Sequence, residues 1–368
     1  MKKKRKNVYV LGDARGVYRI QNVIKFFLDR PKQYGVIFDN RMSNSRPLKY
    51  LKSLLCDPIR VLCSDIVYVC ILNVDVDILY AMFWARLFRK KIIVDYYVSI
   101  YSKVVMDEGW FKEGSFLGKL AKKLDHFYYN SGTRVLFLNE AERDSYCEFS
   151  EIKRKPEKER IITLCIEEKE AVEGNTSDKF NVCWWGAYLP LHGLQYILQA
   201  AKCVKERGLP IRWYIFGNND EKGLPYVELA KEYNIEDVCE FNNTYSMKNG
   251  KLQAFLKTNC NVALGNFGGS PKAKLVMCNK VIEACSMKLP VLTGEASAYY
   301  VFFDGKNDIY MAPNDPQLMA DKLEEIYNEE KQDLSKRVNR SYEIYTECFT
   351  VKLFEKRFEQ MLQELYIK

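Results

Sequence analysis

The sequence predicts an α/β protein built from two consecutive doubly wound domains, each with a central parallel sheet. Short β-rich runs alternate with helical patterns along the whole chain. The alternation pauses once, after Ile166, in the polar stretch EEKEAVEGNTSDK, which is typical of a domain boundary. The 368 residues suffice for two ordinary domains. We therefore expect domains at 1–166 and 167–368 that face a central cleft, with the last helix packing back on the first domain.

In the first half, six β-rich runs predict the strands of one sheet. They read NVYVLG, YGVIFD, DIVYVCIL, KIIVDYY, TRVLFLN and RIITL. Between the first two runs, apolar residues from Ile20 to Leu28 recur at helical spacing until Pro31 stops the pattern. Strands that alternate with helices in this way indicate βαβ units around a parallel sheet.

The second half repeats the pattern with the runs FNVCWWG, PIRWYIFG, VCEF, CNVALG, LPVLTG and DIYMAP. The helix after His192 is well marked, because its apolar stripe runs from Leu194 to Val204 and Gly208 supplies a C-terminal cap. Ligands of doubly wound sheets lie beyond the carboxyl ends of the strands. We expect the functional residues there.

Composition and cysteine spacing favour a globular protein in a reducing compartment. Hydrophobic residues make up 48% of the chain and charged residues 28%, and none of the 12 cysteines forms a C-x-x-C pair. The most apolar region is interrupted by Asp65, Asp75 and Asp77, so no transmembrane helix is expected. We expect a cytoplasmic protein that is peripheral on the inner face of the cell membrane.

Charge is distributed unevenly between the two halves. Residues 1–166 hold 31 Lys and Arg against 19 Asp and Glu, whereas the remainder holds 25 against 29. The N-terminal MKKKRK adds five of the basic residues, and it suits contact with anionic lipid headgroups. A solvated tail that only aids solubility explains the same residues.

Small or polar residues follow several predicted strands. They are Gly12 with Asp13, Asp95, Gly186, Gly217, Gly265, and Thr293 with Gly294. Glycine at such a position permits tight turns and close approach of a ligand to the backbone. Since four of these strand ends lie in the second domain, we expect one ligand there.

The segment from Gly265 to Ser297 combines a glycine loop with three lysines, Lys272, Lys274 and Lys280. A helix is predicted to begin at Asn279 and to carry Glu283 one turn later. Lysines and helical N–H groups together form a site for a diphosphate, and a carboxylate can accept hydrogen bonds from a ribose diol. The alternative is that the lysines are solvated and that Glu283 only favours the helix dipole.

The second half resembles the nucleotide-sugar-binding domain of GT-B glycosyltransferases of the GT4 type. The similarity lies in WWGAYLPLHG, in KAKLVMCNKV, and in the stretch NKVIEACSMKLPVLTGEASAYYVFFDGKNDIYMAPNDPQLMADKL. These runs are similar to a phosphate loop, a glutamate-bearing helix, and the family's A-x-G-x-P-V and D-G-x-N motifs. The resemblance extends from about Asn181 to Asp321 and implies GT-B architecture with two Rossmann-like domains.

By this resemblance, Glu283 corresponds to the second glutamate of the family's E-x7-E element, which binds the donor ribose. The first glutamate falls on Leu275, and His192 stands where a phosphate-facing lysine is usual. Even as a neutral imidazole, His192 can donate one hydrogen bond. We predict Lys272, Lys280 and His192 as the catalytic residues. The predicted donor-binding residues are Gly186, Gly193, Gly217, Asn279, Glu283, Lys274 and Thr293.

The first domain is then expected to provide the acceptor side of the site. The residues predicted for it are Asp13, Arg15, Gly16, Arg19 and Asp95. The GT4 resemblance implies retention of anomeric configuration, no metal, and no cofactor other than the nucleotide-diphosphate sugar as co-substrate. It also implies a glycan or lipid-linked acceptor in bacterial surface polysaccharide synthesis.

Three other functions are compatible with parts of the sequence. A nucleotide-sugar epimerase shares the two-domain architecture, and a degenerate, noncatalytic GT-B partner subunit is compatible with Leu275 in place of the first glutamate. A nucleic-acid-binding protein is the least favoured of the three, because the basic residues form no repeat interleaved with aromatic residues. We therefore expect no nucleic acid as a partner.

Overall fold

The computed structural model of the chain describes residues 5–12, 17–38, 46–72, 75–172 and 179–366, with the backbone alone for 46–49. The chain forms two compact units. Unit 1 combines Met1–Cys165 with Val351–Lys368, and unit 2 is the continuous stretch Ile166–Thr350.

Unit 1 contains a six-stranded parallel sheet with the strand order β2-β1-β3-β4-β5-β6. Its strands are β1 (Lys6–Leu11), β2 (Tyr34–Phe38), β3 (Ile66–Cys70), β4 (Lys91–Asp95), β5 (Arg134–Phe137) and β6 (Glu159–Ile161). Its α-helices are α1 (Tyr18–Leu28), α2 (Arg46–Leu62), α3 (Val76–Leu87), α4 (Phe116–Ser131), α5 (Glu140–Phe149) and α12 (Val351–Glu364). The last helix joins the core of this unit, since Phe358 packs edge-on against Phe26 with ring centroids 5.1 Å apart.

Unit 2 contains a second six-stranded parallel sheet with the order β12-β11-β10-β7-β8-β9. Its strands are β7 (Phe180–Trp185), β8 (Ile211–Phe216), β9 (Cys239–Asn242), β10 (Val262–Leu264), β11 (Val291–Gly294) and β12 (Tyr310–Ala312). Its α-helices are α6 (Leu194–Glu206), α7 (Asp220–Glu232), α8 (Lys251–Asn259), α9 (Asn279–Ser286), α10 (Pro316–Asn328) and α11 (Lys331–Cys348).

The predicted fold class is confirmed in both units, because each β-rich run named in the sequence forms a strand of a parallel sheet. Local chemistry explains where the elements begin. At the start of α10, for example, the Asp315 carboxylate accepts hydrogen bonds from the N–H groups of Gln317 and Leu318, and Pro316 occupies the first turn. No helix in the described ranges is long and apolar enough to cross a membrane.

The strand order of unit 2 reverses between β7 and β10, which are neighbours in the sheet although two strands separate them in sequence. Connections from these two strands leave in opposite directions, so a crevice opens between the loops that follow them. A ligand of unit 2 is therefore expected at the loops that follow β7 and β10.

A buried ion pair ties together the core of unit 1. The Arg19 Nε atom lies 2.6 Å from the Asp95 carboxylate, which also accepts a hydrogen bond of 2.5 Å from the Tyr68 hydroxyl. Arg19 further donates to the Thr163 carbonyl at 3.1 Å. Burial alone would lower the pKa of Arg19, but the Asp95 charge outweighs it and the pKa is raised. The Arg19 guanidinium therefore remains charged in the core.

Replacing Arg19 with methionine should lower the free energy of unfolding by about 3–5 kcal/mol, because the buried Asp95 carboxyl then loses its ion-pair partner. Arg30→Met is the matched control, since Arg30 pairs with Glu355 at 3.0 Å but is partly exposed, and its loss should cost less than about 1 kcal/mol. Urea unfolding measures both variants. Similar small effects of the two replacements would contradict a structural role for the buried pair.

Candidate functional site

The loops after β7 and β10 touch backbone to backbone. Gly193 has the left-handed conformation (φ 64°), and a Cβ atom on it would lie 2.3 Å from the carbonyl carbon and oxygen of Phe267. The Phe267 N–H donates a hydrogen bond of 3.0 Å to the His192 carbonyl. Only glycine fits at position 193, because any other residue would push the two loops apart.

This contact brings three of the predicted site residues together. Gly186 follows β7 with φ 150°, and a Cβ atom on it would lie 3.3 Å from both the Lys280 Nζ and the His192 Cε1. Lys280 belongs to the first turn of α9, whereas His192 ends a short 3-10 helix, Pro190–His192. We call Gly186, His192 and Lys280 the Lys280 cluster.

Lys280 is a buried ammonium group without a hydrogen-bond acceptor in the described part of the chain. Its Nζ lies 4.4 Å from the ring centroid of Trp184, a cation–π distance that offsets part of the cost of burial. Burial lowers the pKa of Lys280 to about 8, and the neighbouring Cys278 and Glu283 only partly counteract this. The site therefore presents an unsatisfied positive charge, as an anion-binding site requires.

The His192 ring is neutral and its tautomer is fixed. Its Nδ1 lies 2.7 Å from the Ala187 carbonyl oxygen, which can only accept, so Nδ1 carries the hydrogen. Burial first, and then the charge of Lys280, lower the pKa of His192 to about 3, although the bond to Ala187 acts in the opposite direction. The Nε2 atom is consequently a bare acceptor. The one hydrogen bond that a neutral His192 can donate goes to Ala187, and none remains for a phosphate oxygen.

Glu283 lies one turn beyond Lys280 on α9 and is buried. Its carboxylate accepts a hydrogen bond of 2.7 Å from the Trp185 indole N–H, at the end of β7. The carboxylate is thus held in one orientation between the helix and the strand end. A carboxylate has about four acceptor sites, so a group of this kind can accept hydrogen bonds from more than one donor.

An open pocket of 720 Å³ lies at the ends of β10, β11 and β12. Of the predicted residues, Lys274 lines it, together with Gly268 and Gly269 of the loop after β10. The other polar lining residues are Tyr196, Asn266, Glu295, Ser297, Tyr300 and Asn314. Tyrosine rings beside amide, hydroxyl and carboxylate groups are suited to a polyhydroxylated ligand.

The remaining donor-side predictions have mixed locations. Asn279 begins α9, and Lys272 is buried in the preceding turn. Gly217 and Thr293 serve packing: a Cβ on Gly217 would lie 2.1 Å from the Tyr188 hydroxyl, and Thr293 is buried against Gly265. Within the described ranges, no three His, Cys, Asp or Glu side chains cluster as a metal site.

The acceptor-side predictions are not brought to a common surface. Asp13, Arg15 and Gly16 lie outside the described residues. Arg19 and Asp95 are buried against each other in unit 1, and neither presents a polar atom to solvent where an acceptor could contact it. The sequence placed Asp95 correctly at a strand end, but its proximity to Arg19 is a tertiary contact across 76 residues.

Trp184 and Trp185 contribute to the site and were not predicted. Successive strand residues point to opposite faces, so Trp184 meets Lys280 on one side while Trp185 reaches Glu283 on the other. The signal was present in the pair WW directly before Gly186, because a tryptophan at a strand end carries an N–H that needs an acceptor when it is buried.

Residues 179–329, which include the Lys280 cluster and the pocket, match the family described as Glycosyl transferases group 1. This part of unit 2 is therefore similar to group 1 glycosyltransferases. The match lies within unit 2 and contains all of the donor-side residues predicted from the sequence. No curated protein matches the chain.

Solved glycosyltransferase structures share the fold of the whole chain. Anabaena Alr3699/HepE, solved with UDP and glucose, has a TM-score of 0.71 at 11% identity, covering 98% of this chain and 100% of that one. Sucrose-phosphate synthase from Thermosynechococcus elongatus has a TM-score of 0.74 at 12% identity, covering 98% and 99%. TarM of S. aureus has a TM-score of 0.63 at 16% identity, covering 85% and 56%. The chain thus has the GT-B architecture of these structures.

Because the chain has only two histidines, proton NMR can follow the His192 ring directly, with a His192→Gln variant to assign its signal. A pKa near 3 predicts that the His192 ring signals do not shift between pH 8 and pH 5. The folded protein then binds fewer protons than the unfolded chain between about pH 3 and 6.5, so this residue makes stability rise with pH in that window. A midpoint near 6.5 would contradict the buried, neutral ring.

Proposed function

We propose that the protein is a retaining glycosyltransferase that moves a sugar from a nucleotide-diphosphate sugar to a hydroxyl group of its acceptor. The observation that carries the proposal is the buried ammonium of Lys280, which lacks an acceptor among the described residues and lies beside Gly186 at the start of α9. A diphosphate would supply the missing acceptor and neutralise the charge. Glycine at 186 leaves room for it.

In this proposal the donor lies across the ends of β7 and β10. The diphosphate accepts hydrogen bonds from Lys280 and from N–H groups in the first turn of α9. Glu283, oriented by Trp185, accepts hydrogen bonds from the ribose diol. The 720 Å³ pocket lined by Lys274 and Tyr300 is wide enough for a sugar ring.

Catalysis would be electrostatic. The bond between the anomeric carbon and the diphosphate oxygen breaks, and the acceptor oxygen forms a new bond to that carbon on the same face. The acceptor hydroxyl gives its proton to the departing diphosphate. Negative charge on the leaving group grows as the bond breaks, so a fixed ammonium such as Lys280 stabilises the transition state more than the bound donor.

His192 has a different part in this proposal from the one expected from the sequence. Its neutral ring donates to Ala187, so the phosphate charge falls on Lys280, with Lys272 as a second candidate cation. His192 instead fixes the loop between Gly186 and Gly193 through its bond to Ala187. It is a positioning residue for the loop that faces Lys280.

Four finer points remain part of the proposal. They are retention of configuration, metal independence, a glycan or lipid-linked acceptor in bacterial surface polysaccharide synthesis, and a cytoplasmic, membrane-peripheral location. The resemblance of WWGAYLPLHG and KAKLVMCNKV to GT4 enzymes supports the first two. The structures of HepE with UDP and glucose, and of TarM with UDP and α-GlcNAc-glycerol, provide examples of this fold with nucleotide and sugar ligands.

Leu275 favours a second candidate, a noncatalytic partner subunit. It occupies the position of the family's first glutamate and is buried, so it offers the donor sugar no carboxylate. Incubation with a panel of nucleotide sugars separates the two candidates. An enzyme slowly transfers the donor sugar to water even without acceptor, and this transfer releases nucleoside diphosphate. Binding without any release, with or without acceptor, would favour the noncatalytic subunit.

Nucleoside diphosphate affinity should fall as pH rises through about 8. In the free protein Lys280 loses its proton near that value, whereas a bound diphosphate holds the proton on, so binding above pH 8 requires proton uptake and weakens by up to about tenfold per pH unit. Calorimetry with UDP between pH 7 and 9.5 measures this. Lys280→Met should flatten the profile, whereas Lys274→Met, which removes an exposed lysine, should keep it. A profile unchanged by Lys280→Met would contradict the proposal.

Glu283→Gln should weaken UDP binding by about 1–3 kcal/mol while keeping the fold, because the amide oxygen still accepts from Trp185. The sharper comparison uses 2′-deoxy-UDP. The wild-type protein should prefer UDP, and Glu283→Gln should lose most of that preference, since the variant lacks the charged acceptor for the diol. Trp185→Phe should have a smaller effect of the same kind. Equal losses for both nucleotides would remove Glu283 from the ribose site.

A further inference from the structure

Helix α2 of unit 1 buries polar side chains on its inward face and exposes apolar side chains on its outward face. Its inward face carries Ser53, Asp57 and Val61, which are buried at four-residue spacing, and the Tyr9 hydroxyl donates to Asp57 at 2.7 Å. Its outward face is aliphatic. The exposed large apolar side chains on the helix are Tyr50, Leu51, Leu54, Leu55, Ile59 and Leu62, of which Leu55 and Ile59 are each 64% exposed. A surface helix of a monomeric protein normally has the opposite pattern.

The two helices that follow also carry exposed apolar side chains. On α3 the exposed large side chains are Val76, Phe83 and Leu87, and on α4 they are Phe116, Leu117 and Leu120. Phe116, at the first position of α4, is 81% exposed. Large exposed apolar side chains clustered on a protein surface mark an interaction site.

The three helices lie side by side on one face of the first sheet. The Tyr80 hydroxyl of α3 donates to the Leu54 carbonyl of α2 at 3.2 Å. On its other side, α3 meets α4 where the Arg86 guanidinium lies 5.8 Å from the Phe127 ring centroid. We call the exposed side chains of α2, α3 and α4 the α2–α4 surface.

The charged residues of these helices are sorted by sign. Their three carboxylates, Asp57, Asp77 and Asp125, are all buried. Their described basic side chains reach solvent to different extents, and they are Lys52, Arg60, Arg86, Lys119, Lys122 and Lys123. Lys122 pairs with Glu151 at 2.6 Å. The helices therefore present aliphatic and basic groups to the outside and keep their own acidic groups inside.

We propose that the α2–α4 surface docks on a lipid bilayer with anionic headgroups. Leucine, isoleucine and phenylalanine side chains enter the boundary between headgroups and acyl chains, while the neighbouring lysines and arginines lie at the level of the lipid phosphates. This is the chemistry of an interfacial helix, and it accounts for the outward aliphatic face together with the absence of outward acids on the described helices. The inference does not depend on the donor chemistry of unit 2.

A second copy of the chain is the poorer occupant. A symmetric dimer places the same surface against itself, so its lysines and arginines would face those of the partner. Like charges brought together at an interface cost binding energy. A bilayer with anionic lipids offers the opposite charge and an apolar layer at once.

The test measures binding of the full chain to vesicles by co-sedimentation, with phosphatidylglycerol and phosphatidylcholine mixed in equal parts or with phosphatidylcholine alone. The variant is Leu55→Glu with Ile59→Glu, and both sites are exposed, so the fold should tolerate the change. Its partition onto anionic vesicles should fall by about tenfold or more, because two inserting side chains become charges of the wrong sign. Leu224→Glu, on α7 of unit 2, is the matched control with 57% exposure, and it should bind like the wild type.

Two results would overturn the proposal. The first is equal vesicle binding by Leu55→Glu/Ile59→Glu and the wild type, which would assign membrane attraction to the basic N-terminus alone. The second is absence of binding to anionic vesicles together with a concentration-dependent dimer that this variant abolishes, which would assign the surface to self-association. UDP affinity, measured in parallel without vesicles, should be unchanged in the variant, so failure here is distinct from failure of the proposed activity.

Discussion

The site depends on one backbone contact, the approach of Gly193 to the Phe267 carbonyl. This contact sets the distance between the loops after β7 and β10, and therefore the distance between Gly186 on one and Lys280 beyond the other. Without it, Lys280 would be a lysine at the start of a helix with access to water. With it, the ammonium is buried against Trp184 and is left without an acceptor among the described residues.

Burial in the same site leaves Lys280 and His192 in different protonation states. Burial disfavours charge on both, but a lysine begins from a pKa about four units higher than a histidine. Lys280 therefore remains largely protonated at neutral pH, while the His192 ring is neutral and donates to Ala187. Burying one cation away from water costs free energy, which a single anionic ligand can offset. A second positive charge at His192 would add repulsion between the two cations to this cost.

Sequence periodicity was sufficient to predict the twelve strands of the described ranges, because buried parallel strands read as short apolar runs. It also located Gly186, Lys280 and Glu283 at strand ends and on a helix. It could not predict the tautomer of His192 or the burial of Arg19 with Asp95, because both depend on contacts between distant segments. Nor did it detect the outward face of α2. There the apolar period was regular, but period alone does not say which side of a helix faces the sheet.

The assignment of α12 to unit 1 has a consequence for the order of folding during synthesis. Unit 2 is one continuous stretch, so all of its strands have left the ribosome before α12 is made. Unit 1 is translated first but lacks Phe354, Phe358 and Met361 of its core until the end of the chain emerges. That face of the sheet is therefore covered by α1 but not by α12 while the whole of unit 2 is translated, and transiently exposed apolar surface of this kind favours aggregation or chaperone binding. Unit 1 thus completes its core only after unit 2 has been translated.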